Sequence, residues 1–126
     1  MNFNHLKNEA NKVINPKKYS NYAEGGQVAA ALETASGNVY TGICIDTACS
    51  LGFCAEHAAA ADMLKHGETH IVKMVAVDQD GNYLAPCGRC REFLSQLDDR
   101  NDGMIVILGE DKTYLLRELL PFDWKK

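Results

Sequence analysis

Hydrophobic and polar positions alternate along this chain with two different periods, and the changes of period divide it into elements. From Asn4 to Ile14 the apolar residues Leu6, Ala10, Val13 and Ile14 share one side of a helix, which Pro16 ends. Tyr19 to Gln27, rich in Gly and Asn, reads as a loop. Val28 to Thr34 and Asn38 to Ile45 read as a hairpin about Ser36-Gly37, and the largely apolar first strand belongs in the middle of a sheet. Ala55 to His66 is an alanine-rich helix with Gly67 as its stop. Ile71 to Val77 is a β-branched run closed by the turn Asp78-Gln79-Asp80-Gly81-Asn82.

A helix from Gly88 to Leu97 presents Phe93, Leu94 and Leu97, Met104 to Leu108 is a short apolar strand, and Tyr114 to Leu120 reads as a last helix before Pro121. The order α-β-β-α-β-α-β-α predicts an α/β fold, a mixed sheet with helices on both faces. Four strands are clear in this pattern. At 126 residues the chain has room for one domain and one core.

Two short motifs carry the chemistry: Cys54-Ala55-Glu56 and Pro86-Cys87-Gly88-Arg89-Cys90. A structural zinc site closes its tetrahedron with four protein ligands, whereas a catalytic one uses three and keeps a position for water. Cys54, Cys87 and Cys90 supply three. Each motif stands at a predicted helix start, where backbone amides and the helix dipole favour thiolate, and i, i+3 spacing puts Cys87 and Cys90 on one face. Glu56, two residues past Cys54, reaches the space beside the metal without ligating it, as a proton carrier must. The alternative is a structural zinc knuckle whose fourth ligand is His57 or His70.

Composition narrows the partners. Five cysteines, an odd number, with metal-ligand spacing suit a reducing cytoplasm better than a disulfide framework. Cys44 and Cys49 are left over and read as small buried hydrophobes. A net charge of −4 and a pI near 5.5 argue against nucleic acid and favour a small substrate. No apolar run approaches the roughly 20 residues of a membrane span, and the polar start is not a signal peptide.

The pair C-x-E and P-C-x-x-C is a form of the signature of zinc deaminases acting on cytosine and adenine. The chain resembles the cytidine deaminase superfamily from about Val28 to Trp124, in particular the small three-cysteine branch of cytidine deaminases and blasticidin S deaminases. Ser36-Gly37-Asn38-Val39-Tyr40-Thr41-Gly42 and Arg117-Glu118-Leu119-Leu120-Pro121 add to the likeness. The resemblance implies a three-layer α/β/α sandwich with a five-stranded sheet, one Zn²⁺ per chain, and homotetramers whose sites borrow residues across interfaces. It implies hydrolytic deamination of a cytosine nucleoside, with zinc activating the attacking water, Glu56 moving protons and the Ala55 backbone N–H holding the base carbonyl. A blasticidin S-type deaminase is the alternative, and a non-enzymatic zinc-binding protein the remote one.

The chain departs from its relatives in three places. Many carry Arg directly after C-A-E to offset the negative charge of three thiolates; here that residue is His57, and Arg89 is the expected substitute. Relatives use N-x-E after the second strand to hold the ribose, where this chain has Cys44 and Asp46. The aromatic ahead of the V-x-A-A-L strand gives way to Gly25, Gly26 and Gln27, which predicts a wider pocket. Trp124 matches an aromatic that closes over the base, often in a neighbouring subunit, with packing on its own domain as the other reading. His5, His66 and His70 belong to no motif and read as solvated or structural.

Overall fold

A computed structural model describes residues 4–126. The first helix, α1, covers Asn4–Val13 and is followed by β1, Lys17–Lys18. Two long strands come next, β2 at Ala23–Thr34 and β3 at Val39–Thr47. The helix α2 (Ala55–Lys65), the strand β4 (Ile71–Asp78) and the helix α3 (Gly88–Leu97) form the middle of the chain. The strands β5 (Ile105–Gly109) and β6 (Lys112–Leu115) end it, with a 3₁₀ turn at Leu116–Leu119.

The sheet runs β3-β2-β4-β5-β6, antiparallel except between β4 and β5, and β1 adds two residues beside the start of β2. Both faces are covered, which is why the central strands are almost wholly apolar. Ala29 and Ala31 of β2 and Val75 and Val77 of β4 turn to α1, against Leu6 and Ala10. The alternate residues Leu32 and Met74 turn to the other face and meet Ala59, Ala60 and Met63 of α2 and Leu94 of α3. Fully burying one such Leu or Met contributes about 1.5–3 kcal/mol, so each face is held by several independent contacts. This is the helix–sheet–helix sandwich that the pattern implied.

Two segments differ from the expectation. Ala23–Gln27, read as loop, begins β2: Gly25 lies where a Cβ would collide with the Cys44 carbonyl and the Tyr19 ring, and Gly26 has φ +86° against the backbone of Asn15. Those glycines permit close backbone approach, and a bulge between Gly25 and Ala29 absorbs the irregularity. Tyr114–Leu120, read as helix, divides into the end of β6 and the 3₁₀ turn. The missing fifth strand is there, folded back on β5 through Gly109 and Lys112.

Two contacts set where the site forms. Gly42 of β3 lies so close to α2 that a Cβ would enter the backbone of Ala59 and Ala55, which brings the start of α2 down onto the sheet. Buried Asn101 accepts from the Ile71 N–H at 2.8 Å and donates to the carbonyls of Leu94 and Thr69 at 3.0 and 3.1 Å. It ties the end of α3 to the start of β4 with its polar atoms satisfied.

Candidate metal centre

Cys54 and Cys87 are the N-cap residues of α2 and α3, both with extended backbone. Cys90 follows in the first turn of α3 and is buried. The sulfurs of Cys54 and Cys87 are 3.6 Å apart and those of Cys87 and Cys90 3.5 Å, and all three lie within 4.8 Å of one another. Ligands about 2.3 Å from a tetrahedral zinc are separated by about 3.8 Å, so the three thiols fit one zinc ion. The cluster holds these three residues and no fourth ligand among the described residues. His70, offered as a distant ligand, lines a separate hollow with Ser36 and Arg100.

The electrostatics separate the sulfurs. Burial raises the Cys87 thiol, but N–H groups of Cys90 and Arg89 at the start of α3, with the neighbouring thiols, outweigh it and bring the net shift down. This is the helix-start effect. Burial pushes Cys54 up, with Cys87 adding to it, and pushes Cys90 up more strongly, with the Glu56 charge adding to it.

Glu56 is 5% exposed in the first turn of α2, a position that for a carboxylate demands a purpose or a partner. Burial raises its carboxyl above the usual range, partly offset by its own backbone N–H and by Cys90. Glu56 therefore stands beside the sulfurs with burial favouring its protonated form. Ala55, the first residue of α2, has an N–H without an intrahelical acceptor, and it lines the same cavity.

That cavity, of about 470 Å³, joins the metal residues to the end of β3. Cys44 and Asp46 both line it. The Cys44 thiol donates to Gln27 Oε1 at 3.4 Å, so a residue first assigned to a loop orients one wall. Phe53, Thr47 and Leu84 complete that wall. Sequence reasoning missed them because Phe53 and Leu84 come from connections and Thr47 from the last position of β3, beyond the strand bounds read from the pattern; only the position of Phe53 directly before Cys54 was available as a signal.

Arg89 lines the cavity, but the side chain that approaches a ligand sulfur is His57: Nδ1 is 3.4 Å from Cys90 Sγ, and its ring stacks on Phe93 at 4.1 Å and 12°. Burial, then the Arg89 charge, lowers the His57 pKa. Arg89 reaches Cys87 through its backbone N–H. Trp124 lies away from this cavity, 74% exposed, with Nε1 donating to Glu92 Oε1 at 3.1 Å on the outside of α3. Cys49, expected to be buried, is exposed with φ 62° in the turn between β3 and α2.

No family model matches the chain. The cytidine deaminase of Mycobacterium tuberculosis, in two strains, is 38% identical over 77 residues, 60% of this chain and 55% of that protein. The matched stretch thus spans about half the length of these relatives. The crystal structure of cytidine deaminase from M. tuberculosis superposes with a TM-score of 0.81 at 27% identity, covering 98% of each chain. By sequence over 77 residues and by structure over nearly its whole length, the chain is similar to the cytidine deaminases. The likeness extends beyond one genus. The M. leprae enzyme gives a TM-score of 0.79 at 26% identity over 96% of this chain, and the Burkholderia pseudomallei enzyme gives 0.77 at 27% over 97%. On this shared fold the three thiols form a cluster suited to hold one metal ion, with Glu56 buried beside them.

Proposed function

We propose that the chain is a zinc-dependent hydrolase that deaminates a cytosine nucleoside, converting cytidine or deoxycytidine and water to the uracil nucleoside and ammonia. The observation that carries this reading is the buried carboxylate of Glu56 in one cavity with three thiols spaced for a single zinc. Zinc held there supplies a water acidified towards neutral pH. Cys54, Cys87 and Cys90 hold the ion. Glu56 takes a proton from the attacking water and passes it to the ring nitrogen beside the amino-bearing carbon. It then carries a second proton to the departing amine, so that ammonia leaves and a carbonyl remains. The Ala55 N–H holds the base carbonyl, fixing which ring carbon faces the nucleophile, and the apolar wall of Phe53 and Leu84 excludes water from the base.

Cys44 and Asp46 face the sugar. A second reading, a blasticidin S-type deaminase, is favoured by one observation: the Cys44 thiol is engaged by Gln27, leaving Asp46 as the charged group at the sugar end. In the same proposal residues 1–126 form one deaminase domain that works in the cytoplasm as a homotetramer. Exposed Leu51, Phe122 and Trp124 offer apolar surface for neighbouring copies, and Trp124 meets the base in a neighbour's cavity. The test is ammonia release and the ultraviolet change from cytosine to uracil, with zinc-loaded protein and cytidine, deoxycytidine, cytosine and blasticidin S in parallel. Turnover of cytidine or deoxycytidine is expected. Turnover of blasticidin S alone selects the second reading, and silence on all four overturns both.

A further inference from the structure

Cys54 and Cys87 stand just ahead of the helices they cap, so each sulfur is placed by the chain that leads into it. Cys54 follows Phe53, whose N–H and carbonyl exchange hydrogen bonds with Ile45 of β3 at 2.9 and 3.0 Å. Cys87 has no such bridge behind it. The Leu84 N–H donates to the Ala76 carbonyl at 2.9 Å, but among the described residues Ala85 and Pro86 make no backbone–backbone bond, and Pro86 has no N–H to give.

The bonds that hold Cys87 come from Arg91. Its backbone N–H donates to the Cys87 carbonyl at 3.0 Å and its side-chain Nε to the Pro86 carbonyl at 2.8 Å. Those carbonyls belong to the two peptide planes on either side of the Cys87 Cα, so one residue fixes both backbone dihedrals, φ −69° and ψ 167°, from which the side chain projects. The guanidinium reaches further still. Nη1 donates at 3.2 Å to the carbonyl of Leu119, the last residue of the C-terminal 3₁₀ turn. That turn is itself seated: Leu116 is buried in the core and its N–H donates to the Met104 carbonyl at 2.9 Å.

We infer that Arg91 is a positioning residue for the metal centre, one that sets Cys87 in place and ties it to the C-terminal turn. The inference rests on the reading of the three thiols as zinc ligands and adds a residue that acts through backbone carbonyls. Lysine separates this role from one of charge. It keeps the positive charge, but a single ammonium on a flexible stem does not reproduce the planar fork that spans Pro86 and Leu119.

Zinc affinity is measured by chelator competition on native protein, Arg91→Lys and Arg91→Met. Both substitutions are expected to weaken zinc about fivefold, less than the tenfold or more that follows loss of a group bonded to a ligand side chain, which is about the usual range. Cobalt(II) in place of zinc reads the geometry, and its thiolate bands are expected to lose intensity in both variants. Native affinity or native bands in Arg91→Lys overturn the inference while the metal reading stands. Native protein alone supplies a second test, independent of how the variants fold. Coupling between two sites is reciprocal, so zinc should slow amide exchange severalfold across residues 116–120. Exchange there that zinc does not move overturns the inference. Native protein that takes up no zinc strikes the metal reading, and the role of Arg91 with it.

Discussion

The metal end of the cavity and its outer end are built from different materials. At the metal end, two helix starts and one helical turn hold three sulfurs and a carboxylate, with Cys90 and Glu56 buried, Cys54 half-buried and Cys87 open to the cavity side. At the outer end, Asp46 lies near the end of an edge strand and Ser50 in a turn where Cys49 and Ser50 both take left-handed backbone, at φ 62° and 53°. Helix starts bring preset amides and a dipole, so their geometry tolerates little change. Strand ends and turns accept substitution with small cost to the core. On the proposed function, the contrast teaches that reaction type is written at the inner end and substrate choice at the outer one.

Breaking the inner end has the largest expected effect. Cys87→Ser should abolish stoichiometric zinc, measured by elemental analysis after gel filtration, and with it all deamination, because serine does not replace a thiolate ligand to zinc. Full zinc content in that variant would remove Cys87 from the ligand set. Next comes the support beneath the site. Gly42→Ala forces a Cβ into the backbone of Ala55 and Ala59 and should destabilise the fold by about 3 kcal/mol in urea titrations, since neither neighbour is a flexible side-chain end. A loss within error would show that α2 adjusts freely.

A smaller effect distinguishes two candidates for tuning the metal. His57→Ala should weaken zinc about tenfold in chelator competition, the lower range for a lost partner behind a ligand. Arg89→Ala should weaken it less, because its guanidinium acts on the centre without bonding a sulfur. The reverse order would return the charge-compensating role to Arg89.

The smallest effect lies far from both ends of the cavity. Glu68 accepts from Tyr40 Oη at 2.6 Å and Asn38 Nδ2 at 2.9 Å, and these hydrogen bonds hold its carboxyl down to about 2. A folded-state value below the unfolded one, about 4.3, means stability that is present above that pH and lost as pH falls through the folded value. The Tm gap between native protein and Glu68→Gln should therefore be full at pH 6 and close on acidification towards pH 2. A gap independent of pH would mean that the pairing contributes through shape alone.

The inner end was legible in the sequence for the same reason that it is rigid. Helix starts and i, i+3 spacing are local, so Cys54, Glu56, Cys87 and Cys90 needed no knowledge of the rest of the chain. The lining of the outer end depends on register. Cys44 and Asp46 could be placed by resemblance, but the pairing of Glu24 with Asp46 could not, because Ala23–Gln27 reads as loop until Gly25 and Gly26 are seen to permit close packing. The fifth strand was hidden likewise: β6 is largely exposed at the sheet edge and runs into a 3₁₀ turn, so its apolar residues follow neither period over a useful length. His57 was marked by its place directly after Glu56, but which sulfur it meets was not, since its distance to Cys90 is set by how α2 and α3 pack.

Glu56 carries the central claim, and one measurement addresses it directly: cytidine turnover by native protein and by Glu56→Gln, each first shown to hold one zinc per chain. Removal of a positioned proton carrier costs about 10²–10⁴ in rate. The expected result is full zinc in both proteins, ammonia from the native one, and a loss of at least that size in the variant. Comparable turnover by both zinc-loaded proteins would contradict the account.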